Sequence, residues 1–119
     1  MSTQTVADRL VELCREQKNR EALDELYADN CTSREMPGMP NDFVEGKPAI
    51  IEKTEGWFAT VEEMHSSSVG DPIVAGAHFS CVMNFDVTFK ERGRIAMEEI
   101  AVFEVKDDKI VSEQFFYSM

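Results

Sequence analysis

The sequence predicts an α+β domain in which one curved antiparallel sheet carries three N-terminal helices on its concave face. Three observations predict it. Apolar residues in the first half recur at helical spacing, whereas those from His65 onward alternate. Within residues 79–89, Phe79, Cys81, Met83, Phe85, Val87 and Phe89 all fall on one face of an extended run. Residues 94–117 hold two alternating apolar runs around the turn Lys106-Asp107-Asp108-Lys109, the pattern of an antiparallel hairpin.

Each element follows in order. Val6, Leu10, Leu13, Cys14 and Gln17 keep helical spacing and predict a helix over residues 4–18, with Thr5 and Asp8 as a variant capping box. Asn19 is placed to cap a second helix with Ala22, Leu23, Leu26 and Tyr27 on its apolar face. Residues 30–46 contain Pro37, Gly38, Pro40 and Gly46 and read as a loop with a short strand near residues 32–35. Pro48 suits the first turn of a third helix, whose apolar side is Ile50, Ile51, Thr54, Trp57, Phe58 and Val61. Gly56 is placed to end or bend that helix. His65 is expected to follow it, where its positive form would suit the helix C-terminus. Ser66, Ser67 and Ser68 read as a polar link, and Gly70-Asp71-Pro72 precedes a run at residues 73–77. In the long strand that follows, His78, Ser80, Asn84, Asp86 and Thr88 face away from the apolar set, with Val82 as the exception. Glu91-Arg92-Gly93-Arg94 turns the chain into the hairpin.

The 119 residues are expected to form one domain, residues 1–119, and a chain of this length buries roughly 65% of its unfolded surface without staples. A hydrophobic share of 43% supports a packed core rather than disorder. The net charge of −11 makes nucleic acid and anionic membranes poor partners, because phosphate binding needs a basic face. It favours a neutral or cationic ligand over a dianion. Cys14, Cys31 and Cys81 are odd in number and lack CxxC spacing. With no signal peptide and no run near the ~18 apolar residues of a membrane span, a cytoplasmic protein with reduced thiols is expected.

The candidate chemistry lies on the apolar strand faces. Glu99 shares parity with Met97, Ala101, Phe103 and Val105, and Glu113 falls in step with Val111, Phe115 and Tyr117. A carboxylate on such a face is misassigned, at the rim, or there for chemistry. Glu98 has the opposite parity and is expected to be exposed. His65 and His78 have no ligand-spaced partner, so no metal is expected. No GxGxxG, P-loop or GxSxG pattern occurs, so neither a nucleotide cofactor nor a serine triad is expected.

Leu26-Tyr27-Ala28-Asp29-Asn30-Cys31-Thr32, Gly46-Lys47-Pro48-Ala49-Ile50, and Val102-Phe103-Glu104-Val105 with Asp108-Lys109-Ile110-Val111 resemble segments of the nuclear transport factor 2-like superfamily. That superfamily includes ketosteroid isomerases and SnoaL-like polyketide cyclases, and the likeness spans nearly the whole chain. The resemblance implies a cone-shaped, cystatin-like version of the curved sheet, a pocket at its open end, and a homodimer through the outer sheet face. It places Glu35 at the isomerase general-base position. The two oxyanion donors of the isomerases map to Val11 and Ala101, and the acidic residue of epoxide-hydrolysing members maps to Phe115. Neither activity is therefore expected in its usual form.

On this reading Glu35, Glu99 and Glu113 converge on a pocket for a small apolar molecule. Tyr27, Trp57, Phe58, Phe85, Phe103 and Phe115 are candidate lining residues, and Met36 and Met39 are a candidate lid. A protonated and an ionised carboxyl together would serve as acid and base in a cofactor-free isomerisation or cyclisation, with Glu35 or Glu99 carrying the proton. The alternatives are a non-catalytic ligand-binding module and an interaction domain using the outer sheet face. A closed cavity with two carboxylates in hydrogen-bonding reach favours catalysis, a pocket with one rim carboxylate favours binding, and a cavity filled by its own side chains leaves only interaction.

Overall fold

The structure, a computed structural model, describes residues 2–39 and 41–118. In chain order the elements are α1 (Thr3–Arg15), α2 (Asn19–Leu26), β1 (Tyr27–Arg34), β2 (Phe43–Glu45), α3 (Lys47–Ala59), β3 (Val61–Val69), β4 (Ile73–Ala75), β5 (His78–Phe89), β6 (Gly93–Lys106) and β7 (Lys109–Phe116). One curved sheet runs β2-β1-β7-β6-β5-β3, with β4 also on β5. It is antiparallel except where β1 lies parallel to β7. The α+β class expected from the sequence is the observed one.

Several local expectations change. α1 is capped by Ser2, whose Oγ accepts from the Thr5 N–H at 3.1 Å, while Asp8 instead accepts from Gln4. The helix ends at Arg15, and Gln17 turns the chain with φ 60°. Asn19 is the first residue of α2, and its side chain makes no cap. Tyr27 and Val61 do not extend their helices but begin β1 and β3. The expected loop over residues 30–46 contains most of β1 and all of β2, which shortens it to the connection at residues 35–42, closed by the Glu35 N–H on the Asp42 carbonyl. Pro40, read as part of that loop, lies outside the described residues. Gly56 sits inside α3 without ending it. His65 and the three serines belong to β3, so His65 has no helix end to complement.

The local chemistry explains the elements that position the site. Gly46 precedes α3 at φ 95°, a conformation costly for other residues, and Pro48 follows in the first turn, where a missing N–H costs nothing. Asp107 and Asp108 both have positive φ, as a two-residue hairpin turn requires, and so fix the β6–β7 register.

The helices cover the concave face. Val6, Leu10 and Leu13 of α1, Leu23 and Leu26 of α2 and Ile50 of α3 are buried against Phe79, Cys81, Met83, Ala101 and Phe103. Phe79 and Phe103 stack with centroids 4.7 Å apart. On the convex face Val82, Ile100 and Phe116 pair directly across β5, β6 and β7 and remain 39%, 47% and 44% exposed. No helix among the described residues is long and apolar enough to cross a membrane.

Candidate functional site on the concave face

Strand parity and one helix stripe assemble a polar cluster on an otherwise apolar wall. Cys31, Ser33 and Glu35 alternate along and just past β1, and Ser33 pairs with Glu113 across β1 and β7. Glu113, Phe115 and Tyr117 alternate along and just past β7, with Glu113 opposite Phe103 and Phe115 opposite Ala101. On β6, two residues from Ala101, Glu99 lies opposite Met83. α3 presents Ile50, Lys53 and Trp57 at i, i+3 and i+7, one face of a helix.

The hydrogen bonds form one chain. Tyr27 Oη and Ser33 Oγ both donate to the Glu113 carboxylate, the latter at 2.6 Å. Lys53 Nζ donates to Ser33 Oγ and to Glu35 Oε2, each at 2.8 Å. Tyr117 Oη donates to Glu35 Oε1 at 2.9 Å. The Lys53 ammonium also lies 5.5 Å from the centroid of the Phe115 ring.

These bonds give the three carboxylates different characters. Glu113 is buried, which pushes its pKa up, while the Ser33 and Tyr27 hydroxyls and the Lys53 charge pull it back. Its carboxyl oxygens are satisfied by the two hydroxyl donors. Glu35 is held by Lys53 and Tyr117, with side-chain exposures of 19% for Glu35 and 17% for Lys53. Glu99 is half-buried, and no hydrogen bond or ion pair reaches it among the described residues. Burial first, then the charges of Glu35 and Glu113, push it up to about 7, against a smaller opposing effect of Lys53. Burial and the bond to Glu35 push the Tyr117 hydroxyl up to about 12. Burial also raises Cys14 to about 12 and Cys31 and Cys81 to about 11, so all three free thiols stay protonated and poorly nucleophilic at neutral pH.

The candidate lining residues separate. Trp57, half-buried, lies 5.8 Å from Phe85 and 5.7 Å from Phe89 between ring centroids, and Phe85 and Phe115 are also half-buried. Phe103 and Tyr27 are core residues, at 1% and 6% exposure. Phe58 turns outward and lines a hollow of about 180 Å³ between α2 and α3. A second hollow, of about 390 Å³, lies between α1 and Asp71-Pro72. Met36 and Met39 are half-buried in the loop beside Glu35, Val11 and Ala101 are buried in the core, and Glu98 and His78 are exposed. Among the described residues no group of three or more His, Cys, Asp or Glu is placed to hold a metal ion.

Sequence reasoning missed Lys53, Ser33 and Tyr117 as site residues. Lys53 was detectable as a charge on the apolar stripe, three residues after Ile50 and four before Trp57.

A family model described as a SnoaL-like domain matches residues 1–117. Among solved structures, a Mesorhizobium loti protein assigned as a SnoaL-like polyketide cyclase is 34% identical, with TM-score 0.94 over 98% of this chain and 100% of that one. A Catenulispora acidiphila protein with a ketosteroid isomerase-like fold, in complex with trimethylamine, is 18% identical, with TM-score 0.75 over 96% and 85%. A Xanthomonas campestris protein with a cystatin-like fold is 12% identical, with TM-score 0.82 over 100% and 92%. No curated protein matches the chain.

Proposed function

The chain belongs to the SnoaL-like domain family, and from that premise we propose that it is a cofactor-free acid–base catalyst, of the isomerase or cyclase kind, acting on a small and largely apolar molecule. The observation that carries this reading is Glu99: a carboxyl on the concave wall without a hydrogen-bond or ion-pair partner among the described residues, held at about 7, beside a second carboxylate already paired with a lysine. A group poised near neutral pH exists in both protonation states and transfers a proton at little cost in either direction. Ionised Glu99 takes a proton from a substrate carbon and returns it to another, so the protein ends unchanged. Glu35 is committed to Lys53 and Tyr117 and acts on Glu99 through its charge. Trp57, Phe85 and Phe115 supply apolar contact for the substrate.

The test is deuterium exchange. Small ketones in D2O would be followed by proton NMR for loss of their α-proton signals. Exchange should rise as pH passes through about 7 and vanish in Glu99→Gln. Exchange unaffected by that substitution, or absent across the panel at every pH, would overturn the reading.

A specific observation favours a partner as well. The exposed row Val82, Ile100 and Phe116 crosses three strands of the convex face, a surface suited to a second copy of this chain. The free thiols fit a reducing, cytoplasmic setting.

A further inference from the structure

We propose that the wall around Glu99 binds a small organic ammonium ion, with the Glu99 carboxylate as its counter-ion and the neighbouring rings against its apolar body. This names the ligand class of the site described above. It rests on that reading only for Glu99 facing the ligand, not for turnover.

The sheet register supplies the first argument. Met83 lies directly opposite Glu99, Phe85 pairs with Met97 two residues away on the same face, and Phe115 pairs with Ala101 two residues away on the other side. The carboxylate therefore shares its face of the sheet with a thioether and two aromatic rings, groups that favour a cation with apolar substituents and offer little to an anion.

Lys53 supplies the second. Its ammonium is held by a carboxylate and a hydroxyl on one side and faces the Phe115 ring on the other, so the same wall already accommodates one ammonium of the protein's own.

Charge supplies the third. Glu35, Glu113 and Glu99 share the wall with the single ammonium of Lys53, while the Tyr117 hydroxyl and the Cys81 thiol, raised by burial, are neutral. At Glu99 burial acts first and the two carboxylates outweigh the lysine, so the group retains its proton until about 7. A bound ammonium relieves the same repulsion, whereas a neutral ligand leaves the carboxylate unpaired and an anion adds to the repulsion. The chain's net charge of −11 also concentrates cations near it.

Calorimetric titration with benzylammonium, benzyl alcohol and benzoate tests this. Near pH 8 benzylammonium should bind at least about ten-fold more tightly than benzyl alcohol, as an ion pair with ring contacts predicts. The preference should shrink to about two-fold or less near pH 5.5, where Glu99 holds its proton. It should also be lost in Glu99→Gln, whose fold is checked by circular dichroism. A smaller preference at pH 8, tighter benzoate binding, no binding of any probe, or a preference unchanged by pH or by the substitution overturns the proposal. The pH comparison uses the unaltered protein and stands whatever the variant does. Ammonium preference without proton exchange would sink the catalytic reading alone; exchange without the preference would sink this one alone.

Discussion

Glu99 stands directly opposite Met83 across the β5–β6 pair, a carboxyl facing a thioether on the wall that buries the core. Burial and two like charges act on it together, and Lys53 is already bonded to Ser33 and Glu35. The charge of Glu99 is therefore costly to form.

That cost makes stability depend on pH. The folded-state pKa of about 7 exceeds the ordinary 4.5, so the folded chain binds the proton more tightly than the unfolded one. The contribution is fully present below about pH 4.5 and is lost as pH rises through about 7, amounting to at most about 3 kcal/mol. Glu99→Gln should thus raise stability by roughly 1–3 kcal/mol at pH 8 and change it little at pH 4.5, read by urea unfolding at both pH values.

Glu113 depends on its two hydroxyl donors. Tyr27→Phe and Ser33→Ala each remove one from a buried carboxylate, and the second also strips an acceptor from Lys53. Each should cost about 1–3 kcal/mol in urea unfolding. Because both act on one carboxylate, the double variant should depart from the sum of the two.

The two tyrosines report on the same cluster. Burial and Glu113 raise Tyr27 well above its usual range, and burial and Glu35 raise Tyr117 to about 12. An ultraviolet titration should therefore show no phenolate near the ordinary value of about 10 until the protein unfolds. In Glu35→Gln, Tyr117 should ionise earlier.

The convex row gives a prediction about assembly. If Val82, Ile100 and Phe116 meet their copies in a second chain, light scattering should report twice the 13.5 kDa chain mass. Ile100→Glu should reduce it to the single-chain value, because a charge at the centre of an apolar interface has no partner there.

Much of this was legible from alternation alone. β5 and the β6–β7 hairpin stand out because one face is core and the other is not, and the inward parity of Glu99 follows directly. Only the end of β1, near residues 32–35, was legible; its start was hidden because the register shifts between Tyr27 and Thr32, which breaks the alternation around exposed Asp29 and Asn30. β3 was hidden because it is an edge strand with largely polar side chains, and its serines resemble a linker. A bulge between Glu104 and Val105 takes Val111 out of register, so the buried neighbour on that strand is Ile110. The division of labour among Glu35, Glu99 and Glu113 was not legible. It depends on which hydroxyl or ammonium reaches which carboxylate, and those partners come from β1, α3 and the residues just past β7.

The most direct measurement is a carbon-13 NMR titration of the glutamate side-chain carboxyls in the unaltered protein and in Glu99→Gln. One resonance should titrate with a midpoint near 7 and be missing from the variant. A Glu99 midpoint near the ordinary 4.5 would mean a solvated carboxylate and would contradict its role as the proton carrier.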